Sequence, residues 1–494
     1  MRLERGAGVL LSITSLPSPY GIGTLGYEAH RFVDKLAAMK QRYWQVLPLG
    51  PTSFGDSPYQ SISAFAGNPY LIDLDLLIKK ELLSTEQVRS FDWDEASNKV
   101  NYAKIYDNRY KVLRMAFKNF DIRNKNFIEF YRKNTFWLED YSLFMAFKEQ
   151  FGEKPWYEWE EDIKERKEEA LRVYRRKLEK EILFWEFCQF EFYEQWEQLK
   201  AYANQNGIDI IGDIPLYVAL DSVDVWAHPE QFQLGKDKIP ENVAGSPPDF
   251  FAKTGQKWGN PLYDWEQMEA DDFMWWRERV RHNQKMFDVI RLDHFIGMLR
   301  YYAIPVNAES AAEGRWMKAP GKKLTDAIAE ASGEDGKIIV EDIDAYVPGI
   351  KKLAKKNEWP GIEILLFAFD TDANHKYLPH NYENANRVIY AGTHDNETVV
   401  GFFEDKTEEQ LIYLYDYLNI QSKEEIPDAM IRLAYASVAD VVILQLQDIL
   451  KLGKDARMNE PSTIGSNWSW RFLNETITEE RMSFIRKMAT VYRR

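Results

Sequence analysis

The sequence predicts an α/β fold: a closed (β/α)8 barrel with large, mostly helical insertions in its βα loops. Two observations lead to this prediction. Eight short apolar segments, each of strand length, alternate with segments of helical periodicity along a chain of 494 residues. Charged residues follow several of these apolar segments, as expected where the carboxyl ends of parallel strands meet at one face of a barrel. A single catalytic domain, residues 1–494, is therefore expected.

The strands follow one another at spacings that leave room for a helix between them. A helix near 27–39 separates the first two strands, and such a crossover is what a parallel pair requires. The eight predicted strands are 7–15, 43–49, 208–218, 289–295, 337–342, 361–367, 388–395 and 441–446.

Two long segments interrupt the barrel pattern. Residues 75–206 alternate apolar and charged side chains at helical spacing, which predicts a helical insertion subdomain ending at Asn206-Gly207. Residues 219–286, after the third strand, are predicted to form a lid loop followed by helices. Within this lid, residues 244–261 are rich in proline and glycine. Trp258 lies between Gly255 and Gly259 in the sequence. Trp258 is expected either to cover the catalytic face or to anchor the loop to the barrel rim.

The composition excludes several classes of protein. The net charge is −15 and no basic tract offsets it, which argues against a nucleic-acid partner. The chain has one cysteine, Cys188, so neither an intramolecular disulfide nor a multi-cysteine zinc site is possible. The apolar run near the N-terminus is too short for a signal peptide, and no membrane span is predicted. A cytoplasmic location without membrane association is expected. Aromatic residues make up 14% of the chain, and such rings suit stacking against sugars.

Four of the predicted strands end in charge. In strand 289–295, Arg291 and Asp293 alternate with apolar residues and therefore share one face. The others end in single or paired polar residues, namely Asp213, Glu341, and His394 with Asp395. Each residue alone also fits a structural role: an ion pair for Arg291 and Asp293, a helix cap for Asp395, a rim carboxylate for Glu341, a core histidine for His394. Because the ends of parallel strands converge, their recurrence favours one shared site.

Several carboxylates without a metal-type histidine cluster suggest glycoside chemistry. That chemistry needs one carboxylate at the anomeric carbon and a second, protonated carboxyl that releases the leaving oxygen. Arg291 is expected to keep Asp293 ionised, because a nearby cation lowers the pKa of a carboxyl. Glu341, in a more apolar setting, is expected to retain its proton at neutral pH. No phosphate-binding loop or dinucleotide fingerprint is present.

Seven stretches spread along the chain carry a resemblance to a known family. The sequence resembles the 4-α-glucanotransferases called amylomaltases or disproportionating enzymes, which are relatives of the α-amylase clan. The matching stretches are GDSPYQSISAFAGNPYLIDL, GDIPLYV, AGSPPDFFAKTGQKWGNPLYDW, RLDHF, VED, THDNET and RMNEPSTIGSNWSWR. The resemblance spans nearly the whole chain and is weakest in the block 75–206.

The resemblance implies roles for individual residues. Asp293 in RLDHF corresponds to the family's nucleophile, Glu341 in VED to its general acid/base, and Asp395 in THDNET to the carboxylate that binds sugar hydroxyls. The substrate-binding residues that it implies are Tyr59, Asp213, Arg291, His394, Asp249, Trp258, Asn260 and Asn467.

The sequence departs from the family pattern at three places. Ser246 replaces a more usual aliphatic residue, and Ser462 stands where glycine is usual. Phe54 replaces a tyrosine found in some members, which puts an accessory glucan contact at that loop in doubt.

The resulting hypothesis is an enzyme, a 4-α-glucanotransferase. It would transfer an α-1,4-glucan segment from a donor glucan or maltooligosaccharide to the 4-hydroxyl of an acceptor, by a retaining double displacement. The resemblance implies no metal and no cofactor, and no obligatory protein partner is expected. The alternative within enzymes is an α-1,4-glucan hydrolase with water as acceptor. The alternative from another class is a catalytically silent glucan-binding protein, against which the three carboxylates argue.

Overall fold

Eight parallel strands close into a barrel. The computed structural model describes residues 2–53, 55–95, 97–248, 253–343, 347, 349–369, 373–473 and 476–494. Each barrel strand pairs with the next one along the chain, and the last pairs with the first. The barrel strands are β1 (Gly6–Leu10), β2 (Tyr43–Gln45), β3 (Asp209–Ile214), β6 (Val289–Leu292), β9 (Ile338–Val340), β10 (Gly361–Ile364), β11 (Arg387–Tyr390) and β12 (Val441–Gln445).

The predicted barrel is confirmed, since each of the eight barrel strands overlaps one predicted apolar segment. The strands end earlier than predicted, however. Asp293 and Glu341 each follow the last strand residue directly, and Asp395 comes five residues after β11. The reason is that the backbone leaves the ladder where these side chains turn towards the cleft. Their positions just beyond the strand ends place them together at the carboxyl face of the barrel.

Burial on both faces explains why the barrel strands read as apolar runs. All four residues of β6 are buried, as expected for a parallel strand covered by helices outside and side chains inside. Some polar side chains inside the barrel pair with each other. For example, the Tyr390 hydroxyl donates to Gln45 Oε1 at 2.7 Å.

Helices surround the barrel and build the first insertion. Within it, α5 and α8 are 26 and 27 residues long and pack against each other. Helix α8 ends where Gly207 adopts a left-handed conformation with φ +75°. The helices are α1 (Tyr27–Ala38), α2 (Leu74–Lys79), α3 (Thr85–Arg89), α4 (Tyr102–Lys118), α5 (Lys125–Gln150), α6 (Glu161–Lys164), α7 (Glu168–Lys177), α8 (Glu179–Gln205), α9 (Val223–Ala227), α10 (Trp265–Ala270), α11 (Met274–Met286), α12 (Lys322–Ser332), α13 (Ile350–Lys356), α14 (Val399–Glu404), α15 (Glu408–Leu418), α16 (Ile426–Ala436), α17 (Leu446–Ile449) and α18 (Glu479–Val491). Among the described helices, none is both long enough and apolar enough to cross a membrane.

A second, antiparallel sheet lies outside the barrel. Its strands are β4 (Asn242–Ser246), β5 (Gln256–Pro261), β7 (Arg300–Pro305) and β8 (Arg315–Lys318), in the spatial order β5-β4-β7-β8. The segment interpreted as a lid loop is therefore largely a strand pair, and β7 and β8 were not predicted. The sheet has a small hydrophobic cluster of its own, built on Val243, Tyr302, Ile304 and Ala311. Both strand pairs follow barrel strands, β3 and β6, and so belong to the carboxyl face.

Candidate active site

Arg291 lies at the centre of the carboxyl face and contacts three carboxylates. Its Nη1 donates to both oxygens of Asp213 at 2.7 Å and to Asp293 Oδ1 at 2.8 Å. Its Nη2 lies 3.2 Å from Glu341 Oε1. The Arg291 side chain is 1% exposed and that of Asp213 is fully buried, whereas Asp293 is 20% exposed. Arg291 thus contacts all three predicted carboxylates. The two that are predicted to react, Asp293 and Glu341, are partly exposed, whereas Asp213 is not.

The turn after β6 brings the backbone into the site. His294 adopts a left-handed conformation with φ +47°, which a residue with a β-carbon rarely adopts outside strained positions. In this conformation, the His294 backbone N–H donates to Glu341 Oε2 at 2.7 Å. The strained turn therefore supplies a second hydrogen bond to Glu341, besides the contact with Arg291.

The charge balance of the cluster reverses one prediction. Burial, together with the neighbouring Glu341 charge, raises the pKa of Asp293 well above its usual range. Burial also acts to raise the pKa of Glu341, but Arg291 and the His294 N–H outweigh it and the net direction is downward. Of the two carboxyls, Asp293 therefore has the raised pKa and Glu341 the lowered pKa, whereas the sequence argument expected Asp293 to be ionised and Glu341 to keep its proton. The pKa values of Asp293 and Glu341 differ in direction because Arg291 divides its charge among three carboxylates, whereas the His294 backbone N–H donates to Glu341 and not to Asp293.

Tyr59 connects the loop after β2 to this cluster. Its hydroxyl donates to Asp213 Oδ2 at 2.8 Å, and burial raises the pKa of the phenol well above its usual range. Its ring stacks on His394, with centroids 5.1 Å apart and an interplanar angle of 14°. Trp468 tilts against both rings, 5.6 Å from Tyr59 and 6.1 Å from His394. These aromatic contacts fix the imidazole beside the cleft. Among the described residues His394 Nδ1, although buried, has no hydrogen-bond partner.

Asp395 completes the predicted triad at the rim. Its side chain is 40% exposed, more than those of Asp293 and Glu341, and its Oδ2 lies 3.5 Å from His394 Nε2. The other oxygen, Oδ1, accepts from the Asn459 side-chain amide at 2.6 Å. Asn459 lies in the quoted stretch RMNEPSTIGSNWSWR, but sequence reasoning did not single it out. No feature of the sequence distinguishes it from the other asparagine of that stretch.

Trp258 and Asn260 on β5 differ in what they face. The Trp258 ring meets the His294 ring edge to face at a centroid distance of 4.8 Å. Asn260 is buried, and its amide pairs with that of Gln60, with Gln60 Nε2 donating to Asn260 Oδ1 at 3.0 Å. Asn260 Nδ2 also donates to the Val218 carbonyl at 2.8 Å. Asn260 therefore fastens β5 to the loop that carries Tyr59. Its predicted contact with substrate stays a prediction, as does that of Asp213, whose oxygens bind Arg291 and Tyr59.

The remaining candidates lie in two loops. Asn467 holds the 460–467 loop: its Oδ1 accepts from the Glu460 N–H at 3.0 Å and its Nδ2 donates to the Thr463 carbonyl at 3.0 Å. In the same loop Ser462 has φ +67°, which explains why glycine suits this position. Asp249 lies outside the described residues, as does Phe54. Within the described ranges, no three histidine, cysteine or carboxylate side chains are arranged to hold a metal ion.

A (β/α)8 barrel with paired carboxyls at its carboxyl face fits the class of enzymes that act on glycosidic bonds through two carboxyl groups. Comparison with known proteins narrows the class. A family model described as 4-alpha-glucanotransferase (glycoside hydrolase family 77) matches residues 11–476. This chain belongs to that family, as the sequence predicted.

The match to individual relatives extends over nearly all of this chain. The chain is 44% identical to the 4-alpha-glucanotransferase of Clostridium butyricum over 487 residues, covering 98% of this chain and 100% of that protein. It is 40% identical to the chloroplastic/amyloplastic 4-alpha-glucanotransferase DPE1 of Arabidopsis thaliana, covering 96% and 82%. The solved structure of the amylomaltase from Streptococcus agalactiae in complex with acarbose superimposes with a TM-score of 0.95 at 43% identity, covering 99% and 100%. The names of these relatives describe transfer rather than hydrolysis.

Proposed function

We propose that this chain transfers α-1,4-glucan segments with Asp293 as nucleophile, Glu341 as general acid/base and Asp395 as the carboxylate that holds sugar hydroxyls. The observation that carries the proposal is the contact of one buried guanidinium, Arg291, with both Asp293 and Glu341. Retaining glycoside chemistry requires two carboxyls close together on opposite sides of the anomeric carbon. Membership of the 4-alpha-glucanotransferase family supports glucan as donor and acceptor.

In the first step, an Asp293 oxygen attacks the anomeric carbon while the bond to the leaving oxygen breaks. Glu341 gives its proton to that oxygen, so the leaving glucan departs with a free 4-hydroxyl. In the second step, the 4-hydroxyl of an acceptor gives its proton to Glu341 and its oxygen displaces Asp293. Both displacements invert the anomeric centre, so the configuration is retained overall and the enzyme returns to its starting state.

The directions of the two pKa shifts are compatible with this cycle. Asp293 and Glu341 contact the same guanidinium, and the charge of Glu341 raises the pKa of Asp293, so the protonation of each carboxyl depends on that of the other. The positive charge that develops on the sugar ring in the transition state favours the ionised form of Asp293, which it faces. Substrate therefore draws the proton of the pair towards Glu341, where the leaving oxygen needs it.

The acceptor decides between transfer and hydrolysis, and maltotriose alone distinguishes them. Incubated with this substrate, the protein is expected to form glucose together with a ladder of longer maltooligosaccharides, because the donor segment passes to a second sugar. The products are resolved by chromatography over time. Glucose and maltose without any longer product would instead assign the chain to hydrolysis. Binding without products would assign it to a silent glucan-binding protein.

Trp258 is proposed to help hold the acceptor and to limit the access of water. Its ring contacts His294, whose backbone holds Glu341, so it lies beside the acid/base that activates the acceptor. Trp258→Ala is expected to raise hydrolysis relative to transfer, measured as reducing ends gained per longer oligosaccharide formed.

The matched control is Trp316→Ala, which removes a tryptophan from β8 in the same sheet, where it packs on Tyr302 at 5.3 Å. That variant is expected to keep the product ratio. If Trp258 merely anchors β5, both activities and the melting temperature of Trp258→Ala will fall together. A product ratio unchanged across a range of maltotriose concentrations rejects the role of Trp258 in excluding water.

A further inference from the structure

The segment after β12 contacts the loop after β11 and hydrogen-bonds to the Asp395 side chain. Asn459 makes two contacts there: its side-chain amide donates to Asp395 Oδ1 at 2.6 Å, and its backbone N–H donates to the His394 carbonyl at 3.1 Å. Asn459 is 9% exposed, so its amide has little access to water. One oxygen of Asp395 is thereby bound within the protein, and the direction of the other oxygen is set.

Arg457 ties the same two segments together. Its Nε donates to the Asn459 carbonyl at 2.8 Å, and its Nη2 donates to the Asp395 carbonyl at 3.0 Å. Its Nη1 lies 3.6 Å from Glu397 Oε2, in the loop that also carries Asp395. Arg457 therefore fixes the backbone of Asn459 relative to the backbone of Asp395, and a shift of one segment against the other would have to break these bonds. An amide carried by a backbone fixed in this way orients its carboxylate partner more strictly than one on a mobile segment would.

We propose that Asn459, held by Arg457, is a positioning residue that orients the Asp395 carboxylate for the transition state. The inference rests on the proposed role of Asp395. Hydrogen bonds from a carboxylate to sugar hydroxyls contribute most when the ring is distorted, so a small rotation of Asp395 affects the rate more than the binding of substrate. A displacement of about 1 Å in such a group lowers rates on the order of 10²-fold.

The charged and titratable groups around Asp395 come from several elements. His394 lies beside it in the same loop, and its Nε2 is 3.5 Å from Asp395 Oδ2. Tyr59 approaches from the loop after β2, close enough for the charge of Asp395 to raise the pKa of the phenol. Arg457 contacts the backbone carbonyl of Asp395 rather than its carboxylate, and Glu397 lies beside Arg457. Asn459 donates to the carboxylate without bringing a charge of its own.

The test uses four substitutions in the full-length protein, two at Asn459 and two at Arg457. Asn459→Ala is expected to lower kcat for maltotriose disproportionation about 10²-fold, with a smaller change in KM. Asn459→Asp introduces a second carboxyl at 2.6 Å from Asp395, so the two acids share a proton at low pH and repel each other once it is lost. Its kcat is therefore expected to fall further as pH rises, relative to wild type. Asn459→Ala is expected to show the same relative loss at every pH.

Arg457→Met is expected to resemble Asn459→Ala, whereas Arg457→Lys retains the charge without the planar fork and recovers at most part of the rate.

A matched control separates positioning from stability. Asn204 also donates its amide to a carboxylate, Asp288 Oδ2 at 2.9 Å, but next to the amino end of β6 and thus on the opposite face of the barrel. Asn204→Ala is expected to change the melting temperature without changing kcat or its pH profile. The proposal is overturned if Asn459→Ala keeps more than half of the wild-type kcat, or if the pH profile of Asn459→Asp superimposes on that of wild type.

The same assay distinguishes this inference from the proposed function. Asp395→Asn is expected to be nearly inactive. If Asp395→Asn keeps wild-type activity, the role proposed for Asp395 fails. If Asp395→Asn is inactive and Asn459→Ala is not, only the positioning role of Asn459 fails.

Discussion

Asp293→Asn is expected to abolish turnover of maltotriose, with a loss of at least about 10³-fold in kcat, and to stabilise the folded protein at neutral pH. The loss of activity follows from the covalent mechanism, because an amide is a far weaker nucleophile than a carboxylate. Its shape is nearly the same, so the fold and glucan binding are expected to remain. A variant that keeps roughly a tenth of wild-type activity would show that Asp293 is not the nucleophile.

The gain in stability follows from the pKa of Asp293. Burial and the Glu341 charge raise this pKa in the folded state above its unfolded value. The stability that the group contributes is then fully present below the unfolded pKa and is lost as pH rises through the folded pKa. At neutral pH the carboxyl is thus a cost to the fold, which asparagine removes. The melting temperature of the variant should exceed that of wild type at pH 7, and the difference should vanish near pH 3.

The control for this gain in stability is Asp288, an aspartate beside a cation that contacts no second carboxylate within the described part of the chain. Asp288 pairs with Lys200 at 2.7 Å and accepts from the Ile210 N–H at 2.8 Å. Asp288→Asn is therefore expected to destabilise the protein at pH 7 rather than stabilise it, while leaving turnover intact. Equal shifts in both variants would contradict the explanation from charge.

Arg291→Met is expected to cost about 3–5 kcal/mol of unfolding free energy at neutral pH and to abolish activity as well. The substitution removes the cation that neutralises Asp213, Asp293 and Glu341, all of which remain beside one another in a largely buried site. Buried carboxylates without a partner carry a desolvation penalty that their mutual repulsion increases. Denaturant unfolding at pH 7, followed by circular dichroism, gives the difference from wild type.

The pH dependence of this cost has a definite sign. Without Arg291, burial and mutual repulsion raise the folded pKa of the remaining carboxyls above their unfolded values, so their protonation at low pH relieves the penalty. The difference between Arg291→Met and wild type is therefore expected to be largest at pH 7 and to shrink towards pH 4. Arg291→Lys keeps a charge but not the planar fork, and is expected to lie between the two. A loss below about 1 kcal/mol, or one independent of pH, would contradict this account.

The barrel and the gathering of its charged residues were predictable from the sequence because both depend on local pattern. Apolar runs identify buried parallel strands, and the closure of the barrel brings Asp213, Arg291 and Glu341 together whatever the loops do. The protonation of Asp293 was not predictable in the same way. It depends on how Arg291 divides its contacts among three carboxylates and on the left-handed backbone conformation of His294. The residue types in RLDHF do not predict that conformation.

The second sheet and the role of Asn260 were missed for a related reason. Strand β7 pairs with β4 across more than fifty residues of sequence, and β8, which pairs with β7, has exposed or half-buried side chains throughout. The short β8 therefore gives a weak strand signal, and nothing near β7 in the sequence indicates its pairing with β4. Asn260 lies within a stretch that matches the family, but only the structure reveals its amide pair with Gln60. Long-range pairing of this kind leaves no local signal.

The antiparallel sheet is assembled from two different βα loops. Strands β4 and β5 come from the excursion after β3, and β7 and β8 from the one after β6, joined through the pairing of Asn242–Gly245 with Tyr302–Pro305. Neither excursion has a complete sheet without the other, and deletion of one would leave an unpaired strand edge that invites self-association. The two excursions are thus a single module for recombination. Replacement of one excursion by that of a relative is therefore expected to preserve the sheet only when the other excursion is exchanged with it.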